Sequence, residues 1–180
     1  MPSADMVQKF KQKAESVSSE VKMCTNLQQA FEHTFKVCLQ KESNPGRFGP
    51  KVIAAPDLAP EELQELNNLC AAHPVSLLSK NLCAHLSRLD IGLTWADYAI
   101  AETGTLVLNS KSEDKRLAGM ISEIHINLLP ESRIYPSSQN LEADLLKNFA
   151  SCPDYTSFIT GASRTADIER VLTQIGRAHV

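Results

Sequence analysis

Much of what this 180-residue chain does is narrowed by what it lacks. No apolar run approaches the roughly 18 to 20 residues that a membrane span needs. The opening Met1-Pro-Ser-Ala-Asp-Met6 has none of the basic-then-apolar order of a secretory signal, so the expectation is a cytoplasmic protein. Neither charge dominates: 18 Lys and Arg stand against 21 Asp and Glu, a formal net charge of −3. The basic residues are scattered rather than striped, which argues against a nucleic acid partner. The five cysteines, Cys24, Cys38, Cys70, Cys83 and Cys152, include no Cys-x-x-Cys pair, so nothing in their spacing clamps zinc or an iron–sulfur cluster. Free thiols acting as small buried hydrophobes are the simpler reading. His33, His73, His85 and His179 are isolated, no His-x-His or His-Glu-x-x-His spacing occurs, and no metal site is expected. A phosphate-binding Gly-Lys-Ser/Thr ending, a dinucleotide fingerprint, a Gly-x-Ser-x-Gly elbow and internal repeats are all missing.

What is present suits one globular domain over residues 1–180: 43% hydrophobic and 22% charged residues are enough for a full core. Residues 6–17 carry Val7, Phe10, Ala14 and Val17 at helical spacing, and a short strand is expected over Val21–Met23. Thr25 and Gln28 have capping-box spacing ahead of a helix through Gln40 with Leu27, Phe31, Phe35 and Cys38 on one face. Lys51–Ala54 and Val75–Leu78 read as strands around a helix opened by Pro60, Glu61 and Glu62 and striped by Leu63, Leu66 and Leu69. Residues 80–88 read as helical. Tyr98–Ala101 and Thr105–Leu108 suggest a hairpin or a kinked strand around Gly104, and Ser110–Gly119 a polar connection. Ile124–Leu128 alternates as a strand, with His125 and Asn127 on one face. Leu141–Phe149 should be helix, Tyr155–Thr160 strand and Asp167–Ile175 the last helix. Repeated strand–helix alternation predicts an α/β class, a three-layer α/β/α domain with a mostly parallel sheet.

Two segments carry the chemistry. In Phe158-Ile-Thr-Gly-Ala-Ser-Arg-Thr-Ala-Asp167 a strand runs to Thr160 and Gly161 permits a tight turn. A helix beginning just beyond would aim N–H groups at an anion, with the hydroxyls of Ser163 and Thr165 and the Arg164 guanidinium converging on it. The plainer alternative is that Ser163 or Thr165 caps the helix while Arg164 pairs with Asp167. The other segment sets Asp97, Glu102, Thr103, Gly104 and Thr105 between apolar runs. Glu102 there is a nucleophile toward an acyl group, a general base, or an acceptor that fixes the turn. Asp97, His125 and Asp167 are candidate site support, although a strand histidine such as His125 is more simply a hydrogen-bonded interior residue. Trp95 and Tyr98 read as core or rim packing.

At these residues the chain resembles the LutC/YkgG lactate-utilisation family, the LUD-domain proteins. Three stretches carry the likeness: Ala96-Asp-Tyr-Ala-Ile-Ala-Glu-Thr-Gly-Thr-Leu-Val-Leu108, then Ile124-His-Ile126, then Ile159-Thr-Gly161 with Ser163-Arg-Thr-Ala-Asp-Ile-Glu169. Phe10–Val21 resembles that family's opening helix and strand. The resemblance implies a fold similar to the superfamily of CoA transferases, ribose-5-phosphate isomerase and glucosamine-6-phosphate deaminase. It also implies two iron–sulfur partner subunits that oxidise L-lactate to pyruvate, with the clusters in the partners and no cofactor in this chain. CoA transferases use a glutamate to accept an acyl group, and the resemblance makes Glu102 the first position to test for that role, although a shared fold does not by itself carry the chemistry over. The chain departs from the family in having Trp95 where glycine is common. It also stops at Gly176–Val180 where relatives run on into a further strand, which leaves open a shortened chain or a sheet completed by a partner.

Three functions follow as expectations. The first is a non-redox component of a lactate-oxidising complex that binds a small carboxylate, CoA ester or phosphorylated ligand at Thr103, Gly104, Thr105, Thr160, Gly161, Ser163, Arg164 and Thr165. The second is a stand-alone acyl- or phosphosugar-processing enzyme with Glu102 catalytic, and the third a purely structural assembly protein. A homo-oligomer is compatible with each.

Overall fold

The computed structural model describes residues 3–42, 49–151, 155–161, 163–168, 171–175 and 178–179. The chain forms two compact units by interleaving: residues 1–21, 96–111 and 129–180 make one, and 22–95 and 112–128 the other.

The second unit is the parallel one. Helix α2 (Leu27–Gln40) opens on Asn26, whose side chain accepts the Gln29 N–H, while Gln29 reaches back to the Thr25 N–H at 3.1 Å. The capping pair is therefore one residue later than Thr25 and Gln28, because asparagine outcompetes threonine as a cap. Strand β1 (Lys51–Ala54), helix α3 (Pro60–Cys70), strand β2 (Val75–Leu78), a 3₁₀ turn at Leu82–Arg88, β3 (Ile91–Trp95), α4 (Glu113–Ile121) and β6 (Ile124–Leu128) complete it. Its strands lie in the order β2-β1-β3-β6, all parallel, with Ile53 opposite Ile91 and Thr94 opposite Asn127. Near-continuous burial along β1 and β3 suits a sheet flanked by helices. Ser110–Gly119 is a correction: it holds α4, started by Ser112 accepting the Lys115 N–H and packed through Leu117 and Ala118 against Val52 and Leu89.

Charges organise the opposite end of this sheet. Lys51 Nζ donates to the Cys38, Leu39 and Lys41 carbonyls and so closes the C-terminus of α2. Buried Asp90 accepts the Val52 N–H at 2.8 Å and pairs with Lys41 at 3.2 Å, and Lys41 also meets Glu123 at 2.8 Å. Burial pushes the Lys41 pKa down, but the hydrogen bonds to Glu123 and Asp90 outweigh it and leave the ammonium above its usual range.

In the first unit, helix α1 (Ala4–Ser16) is capped by Ser3 and buries Phe10 and Ala14. A mixed sheet runs β7 (Ile134–Tyr135), β4 (Tyr98–Ile100), β5 (Thr105–Ser110), β8 (Tyr155–Ile159). β4 and β5 form an antiparallel hairpin, β5 pairs antiparallel with β8, and β4 pairs parallel with β7. Phe10 and Ala14 pack on Ala99, Ala101 and Ile134, with Val21 at the margin. Val21–Met23 is no strand; Val21 is held by that apolar contact rather than by a ladder. Helix α5 (Ser138–Ser151) buries Leu141 against Ile100 and Val107.

A further correction falls after Gly161. Ser163–Ile168 is strand β9 and Val171–Ile175 is strand β10, an antiparallel pair, where a final helix was expected over Asp167–Ile175. Thr165, Ile168, Val171, Thr173 and Ile175 are β-branched, and their preference for a pleated backbone prevails over the helical spacing. A two-residue strand, β11 (Ala178–His179), follows.

Candidate functional site

Antiparallel register between β5 and β8 sets Leu106 opposite Ile159, and so brings their adjoining residues Thr105 and Thr160 side by side. Their hydroxyls are 2.7 Å apart, and Thr103 Oγ1 lies 2.7 Å from Thr105 Oγ1, making a ladder of three threonines. Thr105 is buried, while Thr103 and Thr160 are exposed at its two ends. Three hydroxyls own three protons and the ladder's two contacts use two, so one O–H is left to donate outward. That is the donor capacity a carboxylate or phosphoryl oxygen accepts.

The two glycines hold this geometry. Gly104 has φ +69° and Gly161 φ +70°, left-handed conformations that an L side chain resists. A Cβ on Gly104 would overlap the Ala14 backbone, and one on Gly161 the Val17 carbonyl, so both loops lie against the end of α1. The Gly104 N–H is engaged by the Ile100 carbonyl at 3.0 Å, and the Glu102 N–H by the Pro136 carbonyl at 3.1 Å. Side-chain hydroxyls, not these two amides, are therefore the groups the ladder can offer.

Glu102 is exposed, and its Oε1 accepts the Ser138 N–H at 3.2 Å, at the start of α5. Asp97 closes the hairpin mouth: its Oδ2 accepts the Asn109 N–H at 2.7 Å, and its own N–H donates to the Val107 carbonyl. Ser163, Arg164, Thr165 and Asp167 belong to β9, directly after the Gly161 loop, and their side chains lie outside the described residues. No helix starts there, so no helix dipole adds to an anion site at that point.

His125 belongs to the other unit, fully buried on β6. Its Nε2 is 2.8 Å from Thr94 Oγ1, and Thr94 donates to Asn127 Oδ1 at 3.1 Å. Since Thr94 has one proton and gives it to Asn127, His125 Nε2 carries the proton it donates to Thr94.

A second group at this unit's carboxyl edge escaped the sequence reading. Lys115 is buried and pairs with Asp57 Oδ2 at 2.9 Å, the oxygen that also accepts the Trp95 N–H at 3.1 Å. Trp95 in turn donates its indole N–H to Glu62 at 3.3 Å, and Glu62 accepts the Ala59 N–H at 2.8 Å. Burial lifts the Asp57 carboxyl above the usual range, and the Lys115 charge and the Trp95 N–H pull it back only in part. The one available signal was Ser112 followed three residues later by Lys115, a cap that sets Lys115 in the first turn of α4.

The LUD-domain family model matches residues 7–180. The chain belongs to the LUD-domain family. Among curated members, the lactate utilization protein C of Halalkalibacterium halodurans is 34% identical over 93 residues, covering 50% of this chain and 40% of that protein. The protein of the same name from Anoxybacillus flavithermus is 37% identical over 83 residues, covering 46% of this chain and 36% of its own length. The matched region thus spans well under half of these relatives. A crystal structure of a DUF162 family protein from Deinococcus radiodurans superposes with a TM-score of 0.62 at 18% identity, covering 89% of this chain and 90% of that one. That likeness establishes the LUD α/β fold. Among the described residues no helix is long and apolar enough to cross a membrane.

Proposed function

We propose that this LUD-domain chain is a component of lactate utilisation without a redox centre of its own. In this reading it works beside iron–sulfur subunits that carry the electrons, and binds a small anionic ligand at the threonine ladder. The observation that carries the role is the 34% identity to a lactate utilization protein C across 93 residues. The ladder supports the ligand half of the reading: Thr103, Thr105 and Thr160 form one connected donor system with a proton to spare. Ser163, Arg164 and Thr165 begin the strand that leaves this loop, within a few residues of Thr160, and in this reading Arg164 supplies the charge that a carboxylate or phosphoryl group requires. The ligand classes compatible with it are a small carboxylate, a CoA ester and a phosphorylated compound.

Growth on L-lactate tests the role. A bacterium deleted for its own utilization protein C, and retaining its iron–sulfur subunits, should regain growth when given this chain, and the chain should co-purify with those subunits. Restored growth with the wild-type chain, reduced by Thr105→Val, is expected. Absence of both growth and co-purification contradicts the proposal.

A further inference from the structure

We infer that the carboxyl ends of β1, β3 and β6 form a second binding site, for a small ligand that carries an alcohol hydroxyl beside another oxygen, as a 2-hydroxy acid or a vicinal diol does. The topology places it. From β1 the chain moves outward to β2 through α3, then returns across β1 to β3 and on to β6, so the connections diverge between β1 and β3. In parallel α/β sheets that reversal opens a crevice at the carboxyl ends, and ligands bind there. Asp57 follows β1 on one side of the reversal, and Trp95 ends β3 on the other.

Two polar atoms at this end are shut from solvent without a hydrogen-bond partner: Asp57 Oδ1, an acceptor, and Asn127 Nδ2, a donor. Buried polar groups are nearly always satisfied, so such a pair calls for a complement. The donor is the outer end of the series His125 Nε2, Thr94 Oγ1, Asn127 Oδ1: with Thr94 donating to Oδ1, the amide turns its N–H₂ away from Thr94 and leaves it unspent. The acceptor is fixed as well, since Asp57 Oδ2 is taken by Trp95 N–H and Lys115.

Helix α4 ties the pieces to one face. A Cβ on Gly92 would meet the Ala118 carbonyl and Ser122, and Gly119 lies against the His125 ring, so α4 covers the sheet face that Thr94, His125 and Asn127 share. Lys115 lies one turn earlier on that side of α4, toward the carboxyl ends. Trp95, next along β3 and so on the opposite face, is pinned by Glu62 of α3. A ligand hydroxyl would donate to Asp57 Oδ1, and its neighbouring oxygen would accept from Asn127 Nδ2 within reach of the Lys115 charge. A bare phosphate fits poorly, because it brings up to two negative charges against the Asp57 and Glu62 carboxylates, with Lys115 already paired to Asp57.

The choice of L-lactate as first probe rests on the lactate-utilisation reading; the site does not. The test is a calorimetric and NMR titration of the whole chain with L-lactate, propionate and glycerol. L-Lactate should shift the Trp95 indole and His125 ring signals saturably, and propionate, which lacks only the hydroxyl, should bind at least tenfold more weakly. Asn127→Asp keeps the acceptor for Thr94 and removes the donor, and should weaken L-lactate at least tenfold in a folded protein, confirmed by an unchanged circular dichroism spectrum. Equal affinity for L-lactate and propionate, or affinity untouched by Asn127→Asp, overturns the inference. So does silence toward both L-lactate and glycerol, which would leave the two atoms to internal water. Asn127-dependent binding in a chain that fails to restore growth keeps the site and removes the lactate role; restored growth with Asn127-independent binding does the reverse.

Discussion

Replacing Glu102 separates a helix cap from a reacting group. The carboxylate receives the Ser138 N–H at 3.2 Å, and no acidic residue lies in the first turn of α5, so Glu102 brings a negative charge to the positive end of that helix. Glu102→Ala removes both the acceptor and the charge and should cost about 1 to 2 kcal/mol, the upper part of the range for loss of a cap. Glu102→Gln keeps an acceptor oxygen and loses the charge–dipole attraction alone, about 0.3 to 1 kcal/mol. Urea denaturation of the two variants should therefore rank wild type, Gln, Ala in descending stability. For a chain of this size the Ala variant should melt roughly 2 to 8 °C below wild type. Equal stability of Glu102→Ala and wild type would refute the cap. Trapping of an acyl group on Glu102, abolished by Glu102→Gln without loss of stability, would favour the stand-alone enzyme instead.

Other consequences follow from buried charges and hydrogen bonds. Asp90→Ala strands the Val52 N–H and deprives buried Lys41 of one of its two carboxylates, and should cost about 3 to 5 kcal/mol in urea denaturation; a loss below about 1 kcal/mol contradicts the network. The Tyr135 hydroxyl donates to Asp144 at 2.6 Å, and that bond, followed by burial, pushes the phenol up to about 12 from 10.0. A phenol raised in the folded state adds stability that is full below pH 10 and fades as pH rises through about 12. Ultraviolet titration should show one phenol ionising there, moved back toward 10 by Asp144→Asn. The His125 ring should carry its proton on Nε2, read from nitrogen chemical shifts; an Nδ1–H ring would reverse the series through Thr94.

Local pattern revealed much of the fold. The β1 and β2 strands announce themselves as short apolar runs, β6 as an alternating one and the β4–β5 hairpin as two runs around Gly104, whereas β3 does not, because Gly92 and Thr94 interrupt its apolar residues. Helix α4 did not, because its inward face includes Lys115, whose charge reads as surface until Asp57 is known to lie opposite. The strands β9 and β10 were hidden by apolar residues whose spacing also fits a helix. The carboxyl-edge group was illegible for a different reason: Asp57, Trp95 and Lys115 are far apart in sequence, and only the order of the parallel strands brings them together. Thr105 and Thr160 are 55 positions apart, joined by a register between β5 and β8 that no spacing encodes.

The threonine ladder is tested most directly by methyl NMR of the whole chain during titration with acetate and, separately, inorganic phosphate. The Thr103, Thr105 and Thr160 methyl signals should move together and saturate with at least one of the two anions, and Thr105→Val should abolish the response. Methyl signals that stay fixed with both anions, in a chain whose spectrum is otherwise that of the folded protein, would contradict anion binding at the ladder.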